Sequence, residues 1–331
     1  MAAASGGCWR RLGAALFALL LAGCAGVPVQ PPRGADQARL ARSHFVTPDG
    51  AVLPVRSWQP GRGAPRAIVI AVHGFNDYSR AFASPGQYLS QRGIALIAYD
   101  QRGFGNAPGR GRWAGEAAYA GDLLALIRQV RRQQPGVPVY VLGESMGGAV
   151  AMVALTRPDA PGVAGLILSA PAVWSREHMP WYQRLVLALA SSTLPALEVT
   201  GSGLNIQASD NIEMLRGLGR DPLVIKSTRV DALEGLVDLM DSAQARAGQL
   251  RVPVLVLYGA RDQVIPAAPL GAALARLTRL PGTRSVVDAG GYHLLLRDLR
   301  ADLPLGDIAR WIDRGGRPVE RMALAPERLS P

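Results

Sequence analysis

The chain has 331 residues, of which 49% are hydrophobic and 18% charged, and its formal net charge is +11. That length accommodates one large or two small domains, and the hydrophobic share supports a sizeable core and excludes a wholly disordered chain. Lys226 is the only lysine among 36 basic residues, and the arginines are scattered rather than blocked. The charge therefore reads as a solvated surface and not as a nucleic-acid-binding face.

Residues 1–23 read as a signal peptide. Arg10 and Arg11 precede an apolar stretch over residues 12–22 that is too short to span a bilayer well. Leu21-Ala22-Gly23-Cys24 resembles the lipobox of bacterial lipoproteins, which implies lipidation at Cys24 and a membrane anchor there. Ala25, not aspartate, follows the cysteine; by resemblance to Gram-negative lipoprotein sorting, this implies the periplasmic face of the outer membrane. Removing the two arginines of the signal lowers the formal charge from +11 to +9. Cys8 and Cys24 are the only cysteines, so the mature body has no internal disulfide, cysteine nucleophile or cysteine-based metal site.

Residues 24–42 read as a tether, Pro-, Gly- and Arg-rich over 30–41. Two alternating runs around Pro48-Asp49-Gly50 predict a hairpin over 44–58. Apolar runs at Ala67–Val72, Ile94–Tyr99, 137–142, 163–168, 254–258 and 284–287 then predict strands. Helical stretches such as 115–134 and 146–156 separate them. Continuous apolar strands between helices predict an α/β fold with a mostly parallel sheet covered on both faces. Its core is expected in two parts, 43–173 and 250–315. Residues 174–249, between them, lack a strong strand run and contain helical stretches at 181–190 and 233–246. They are expected to form a helical cap over the C-terminal edge of the strands, where ligands bind in open α/β sheets. Residues 316–331 are expected to be a loose tail.

Residues 143–148 read Gly-Glu-Ser-Met-Gly-Gly, directly after an apolar run. A G-x-S-x-G sequence between strand and helix puts the serine on a sharp turn with its hydroxyl out of the sheet. The glycines avoid a Cβ clash, and the helix N-terminus favours the negative charge that develops in acyl transfer. Ser145 is the candidate nucleophile. A free hydroxyl is barely ionised at neutral pH and needs a base. Of His44, His73, His178 and His293, only His293 sits on the loop after the last strand, at the edge that bears Ser145, and it is the candidate base. His44 and His178 read as incidental. The carboxylate that fixes the imidazole tautomer is expected at Asp262, just after the fifth apolar run. Its competitor, Asp288, is close to His293 in sequence and reads as part of the strand end.

Five segments occur in order: His73-Gly74-Phe75, Tyr99-Asp100-Gln101-Arg102-Gly103-Phe104-Gly105, Gly143-Glu144-Ser145-Met146-Gly147-Gly148, Gly259-Ala260-Arg261-Asp262 and Tyr292-His293. Together they resemble the monoacylglycerol lipase/lysophospholipase group of α/β-hydrolases, often grouped with the S33 serine aminopeptidases. The chain order Ser145, Asp262, His293 is also that of α/β-hydrolases. Asp221-Pro222-Leu223 with Thr228-Arg229 is similar to the cap exit of that group, and the likeness covers about residues 43–315. It implies a structural His73, oxyanion donors at the backbone N–H groups of Phe75 and Met146, and a structural Arg102 paired with a nearby carboxylate. Glu144 departs from the histidine of many animal members, which weakens transfer of their substrate.

The expected reaction is hydrolysis of acyl esters through an acyl-enzyme, without metal or cofactor. Monoacylglycerol or lysophospholipid is the expected substrate, with Trp174, Trp181, Tyr182, Leu185, Leu187 and Leu194 of the cap as candidate pocket residues. Two alternatives stand beside it. An aminopeptidase would need an acidic patch for a substrate amine, which Glu144, Glu177, Asp210 or Glu213 could supply. A non-catalytic binding module would not need the triad. Epoxide and haloalkane hydrolases carry aspartate where Ser145 stands.

Overall fold

The computed structural model describes residues 38–317, apart from Ser202 and Leu204. The expected signal peptide, Cys24, the tether up to residue 37 and the tail from residue 318 lie outside the described residues. No helix among the described residues is long and apolar enough to cross a membrane.

The apolar runs form the sheet. Strands β4 (Ala67–Val72), β5 (Ile94–Tyr99), β6 (Val139–Glu144), β7 (Gly165–Ser169) and β10 (Val254–Gly259) are buried at every residue. That lack of alternation is what two covered faces require. They run parallel with β11 (Arg284–Asp288) in the order β5-β4-β6-β7-β10-β11. Three antiparallel strands extend the β5 side: β3 (Val52–Trp58), β2 (His44–Val46) and β1 (Arg39–Leu40). The β2–β3 turn is the expected hairpin, closed by Gly50 N–H on Thr47 O at 2.9 Å.

The first correction concerns the tether. Arg39 and Leu40 pair with Val46 and Phe45, and Gln133 donates to Leu40 O at 2.8 Å. Residues 38–40 thus belong to the core unit. Two strand residues are too few to show a hydrophobic period, so the pattern could not mark them.

Helices cover both faces. On one lie α2 (Glu116–Gln133), α3 (Met146–Leu155), α6 (Val230–Arg246) and α7 (Ala267–Leu277), packed on Ile68, Ile70, Val72 and Val141. On the other, α1 (Ala83–Ser90) and α8 (Asp302–Asp313) pack on Val69, Ala71 and Leu142. Trp311 of α8 is fully buried there and lies over Gly165, where an added Cβ would be 2.4 Å from its ring.

The second correction concerns the cap. Helix α6 was expected within it, yet Val237, Leu239, Met240 and Ala243 are part of the core and pack beside α3. An amphipathic period shows that a helix has a buried face but not what that face meets. The segment above the sheet edge is therefore shorter. It holds α4 (Trp181–Thr193), α5 (Ile212–Arg220) and an unexpected antiparallel pair, β8 (Glu198–Thr200) with β9 (Ser227–Arg229). None of the residues of α4 or α5 is fully buried.

The winding reverses at β4. The chain steps from β4 to β5 on one side and to β6 on the other, so β4 and β6 flank the switch point, where α/β sheets open a crevice. Phe75 lies just beyond the end of β4 and Ser145 just beyond β6.

Candidate active site

Ser145 joins β6 to α3 with φ 53° and ψ −119°, a conformation that costs a non-glycine residue on the order of 1–3 kcal/mol. Its own backbone bonds hold it there. Its N–H donates to Ser169 O at 2.9 Å, and its carbonyl accepts from Gly148 N at 2.9 Å and Ala172 N at 3.0 Å. Gly143 and Gly147 make the turn possible. An added Cβ would be 2.5 Å from Gly147 O at the first and 2.0 Å from Val72 O at the second.

Asp262 follows β10 and its side chain is fully buried. One carboxylate oxygen accepts from Val264 N at 2.7 Å and Ile265 N at 3.0 Å, and the other meets His293 Nδ1 at 2.8 Å. A carboxylate only accepts, so Nδ1 donates to it, which in the neutral ring leaves the lone pair on Nε2. His293 is also buried. Asp288 does other work: its Oδ1 accepts from Gly290 N at 2.9 Å and shapes the turn before the histidine. The structure thus brings Asp262 to His293 and not Asp288. Both stand on the sheet edge that carries Ser145, although no hydrogen bond among the described residues joins Ser145 Oγ to the imidazole.

Among the described residues, the N–H groups of Phe75 and Met146 meet no protein acceptor. Met146 is fully buried at the N-terminus of α3. Gly74 packs against the nucleophile; a Cβ there would be 3.3 Å from Ser145 Cβ and 3.9 Å from Oγ.

His73 is fully buried below this arm. Nδ1 donates to Gly74 O at 2.8 Å and Nε2 accepts from Gln101 N at 3.0 Å, which needs the neutral ring. Burial pulls its pKa below 6.5. Arg102 is held by Asp122 at 2.7 Å and by Asp49 at 2.6 Å. Its hydrogen bond depresses the Asp49 pKa, whereas burial raises that of Asp122 against the same pull. Among the described residues, no group of three or more His, Cys, Asp or Glu side chains is placed to hold a metal ion.

Two features escaped the sequence reading. Arg297 makes buried ion pairs with Glu144 and Asp77. The residues before α5 also clasp the histidine loop. Leu294 N donates to Ala208 O at 2.9 Å, Ser209 Oγ to Asp298 at 2.5 Å and Asn211 Nδ2 to Arg297 O at 3.1 Å. The only local signal was a charged pair, Arg297-Asp298, after three leucines.

This arrangement, a strained serine and a carboxylate-bound histidine on one edge of an α/β sheet, defines an α/β-hydrolase with a serine-centred site. Residues 63–300 match the family described as serine aminopeptidase, S33, and the chain belongs to that family. Human monoglyceride lipase is 27% identical over 261 residues, spanning 77% of this chain and 84% of the relative. The monoacylglycerol lipase of Mycolicibacterium smegmatis is 26% identical over 281 residues, spanning 81% and 95%. Caffeoylshikimate esterase of Arabidopsis thaliana is 26% identical over 291 residues, spanning 83% and 86%. The crystal structure of Paleococcus ferrophilus monoacylglycerol lipase shares the fold with a TM-score of 0.66 at 21% identity, covering 80% of this chain and 99% of that one. A soluble variant of Saccharomyces cerevisiae monoglyceride lipase gives 0.69 at 19% identity, covering 88% and 99%.

Proposed function

We propose that this serine hydrolase cleaves acyl esters of the monoacylglycerol or lysophospholipid type, through an acyl-enzyme on Ser145. Ser145 Oγ attacks the ester carbonyl while His293 Nε2 takes its proton. The N–H groups of Phe75 and Met146 receive the oxyanion. The tetrahedral adduct collapses by breaking the bond to the alcohol oxygen, which leaves with the proton from His293. Water then attacks the acyl-enzyme, gives a proton to the same nitrogen, and Ser145 departs with that proton as the acid is released. Asp262 keeps Nε2 facing the serine and stabilises the imidazolium.

The Asp262–His293 bond, fixed at the edge that carries the strained Ser145, is the observation that supports this chemistry best. The lipid character of the substrate rests on the relatives and on the cap. Trp181, Tyr182, Leu185, Val186 and Leu189 present large apolar side chains to the outside of α4. We place the protein at a membrane through a lipid on Cys24, on the periplasmic face of the outer membrane, on the strength of its N-terminal sequence.

The aminopeptidase reading needs a carboxylate for the substrate amine. Glu144 is buried against Arg297, Glu213 pairs with Arg216, and Asp210 accepts from Leu299 N. Glu177 and Glu213 are the exposed members of the four candidates.

The test is hydrolysis of monoacylglycerols, p-nitrophenyl esters of increasing chain length and aminoacyl anilides by the full chain and its Ser145→Ala variant. Ester hydrolysis lost in the variant is the expected result. Anilide cleavage without ester cleavage would overturn it. A Cys24→Ser variant that still fractionates with membranes as the parent does would overturn the anchor.

A further inference from the structure

Arg297 follows the histidine loop, with its side chain 7% exposed. Its Nη1 donates to Asp77 at 2.7 Å and its Nη2 to Glu144 at 2.7 Å. Both carboxylates are largely buried as well, at 11% and 1%. Each member of this trio stands beside a different part of the chemistry. Glu144 is the residue before Ser145. Asp77 is two residues beyond Phe75, on the turn that offers an oxyanion N–H. Arg297 is four residues beyond His293, and its own N–H closes that loop on Leu294 O at 2.8 Å.

We propose that Arg297 is a positioning residue: its guanidinium ties the nucleophile turn, the oxyanion turn and the histidine loop into one rigid unit. The proposal rests on the serine-hydrolase reading above. A planar fork with two donors on separate nitrogens fixes both the distance and the angle between its partners, which a single ammonium cannot do.

Stability alone explains the trio poorly. Buried ion pairs are often no better for folding than apolar residues of the same volume. This one also leaves Glu144 Oε2 and Arg297 Nε buried without partners. Burial by itself would lower the guanidinium pKa, yet the two carboxylates outweigh it and raise it, so the charge stays. An arrangement that retains two orphan atoms and three desolvated charges is better suited to geometry than to folding energy.

The experiment compares the full chain with Arg297→Lys, Arg297→Met, Glu144→Gln and the paired Glu144→Gln/Arg297→Met. It reads the rate of Ser145 labelling by a small fluorophosphonate, kcat and KM on a short soluble ester, and Tm. The paired variant keeps the trio's net charge but leaves Asp77 without its cation, so Tm read beside the rates separates lost geometry from that cost. Displacing reacting groups by about 1 Å costs on the order of 100-fold. The expected result is a 10- to 100-fold loss of labelling rate and kcat in Arg297→Lys and in the paired variant. KM stays within about threefold, and the loss persists well below Tm. Labelling within threefold of the parent in a folded Arg297 variant would overturn the proposal. So would activity that recovers in step with Tm, or collapse of the fold in every variant, which would make the trio a folding element. A parent that is not labelled at Ser145 at all would instead overturn the serine-hydrolase reading.

Discussion

Replacing Gly147 by alanine tests how tightly the nucleophile turn is built. The new Cβ would lie 2.0 Å from Val72 O, 2.5 Å from Val72 C and 2.8 Å from His73 O, all backbone atoms. An ordinary C···O contact is about 3.3 Å, so α3 and the end of β4 must part by more than about 1 Å. Val72 leads directly into His73-Gly74-Phe75, so the displacement reaches the oxyanion arm. Overpacking of this kind costs about 1–3 kcal/mol, and loss of one oxyanion donor costs about 100- to 1,000-fold in kcat. Two glycines calibrate the result. At Gly74 the tightest contact of a Cβ is Ser145 Cβ at 3.3 Å, with Glu144 O at 3.7 Å and Ser145 Oγ at 3.9 Å, so alanine there should reduce kcat by about tenfold with a stability cost under about 1 kcal/mol. At Gly121, in α2, a Cβ meets nothing within 4 Å, so alanine should add about 0.5–1 kcal/mol and leave kcat unchanged. Thermal unfolding and kcat/KM on a p-nitrophenyl ester read all three. Parental Tm and kcat/KM in Gly147→Ala would refute the reasoning.

Asp262→Asn should lower kcat by about 10⁴-fold with KM little changed, because the amide presents the wrong partner to Nδ1. Asp288→Asn should stay within about threefold, and pH-rate profiles of the pair decide between them. Arg102→Met leaves Asp122 buried opposite no cation. It should destabilise by about 3 kcal/mol in denaturant unfolding and leave kcat of the folded protein intact. The buried His73 has a pKa depressed by desolvation, so the unfolded chain takes up a proton first as the pH falls. Its stability contribution is complete above about pH 6.5 and declines below it, by up to about 1.4 kcal/mol per pH unit, down to the folded pKa. Against His73→Gln the parent should therefore lose stability faster below pH 6.5. Parallel curves would contradict the neutral, buried ring.

The strands whose apolar run is bounded by polar or turn residues, β4 and β5, were legible to the residue. β6 and β7 begin two residues later than the apolar run, the first because Pro138 has no N–H for the ladder. Ser145, Asp262 and His293 were legible because each follows an apolar run, and a parallel sheet brings all such ends to one edge. The Arg297 trio was not. Its partners lie 153 and 220 residues away in sequence, and no local pattern encodes such a pairing. Helix α6 shows the same limit in apolar form: its period announced a buried face but not the core beneath it.

Local rules fail in this chain where the chemistry is expected. Among the described residues, four non-glycine residues have positive φ: Asn76, Ser145, Ala170 and Asn205. Asn76 follows the oxyanion arm, Ser145 is the nucleophile turn itself, and Ala170 ends β7 beside it. Each such residue costs on the order of 1–3 kcal/mol, so three at one sheet edge are a large local cost for a domain of ordinary stability. Packing and backbone bonds on either side hold them. Ala170 N donates to Leu257 O at 2.8 Å, Ser145 N to Ser169 O at 2.9 Å, and Asn76 O accepts from Ile225 N at 2.9 Å. The last bond comes from the stretch between α5 and β9. Buried charges break a second rule at the same edge, and exposed aromatic and aliphatic side chains on α4 break a third. A sequence selected for stability alone would relax all three. Their concentration in the elbow, its underlying ion trio and the cap above it is what a preorganised site handling an apolar substrate requires.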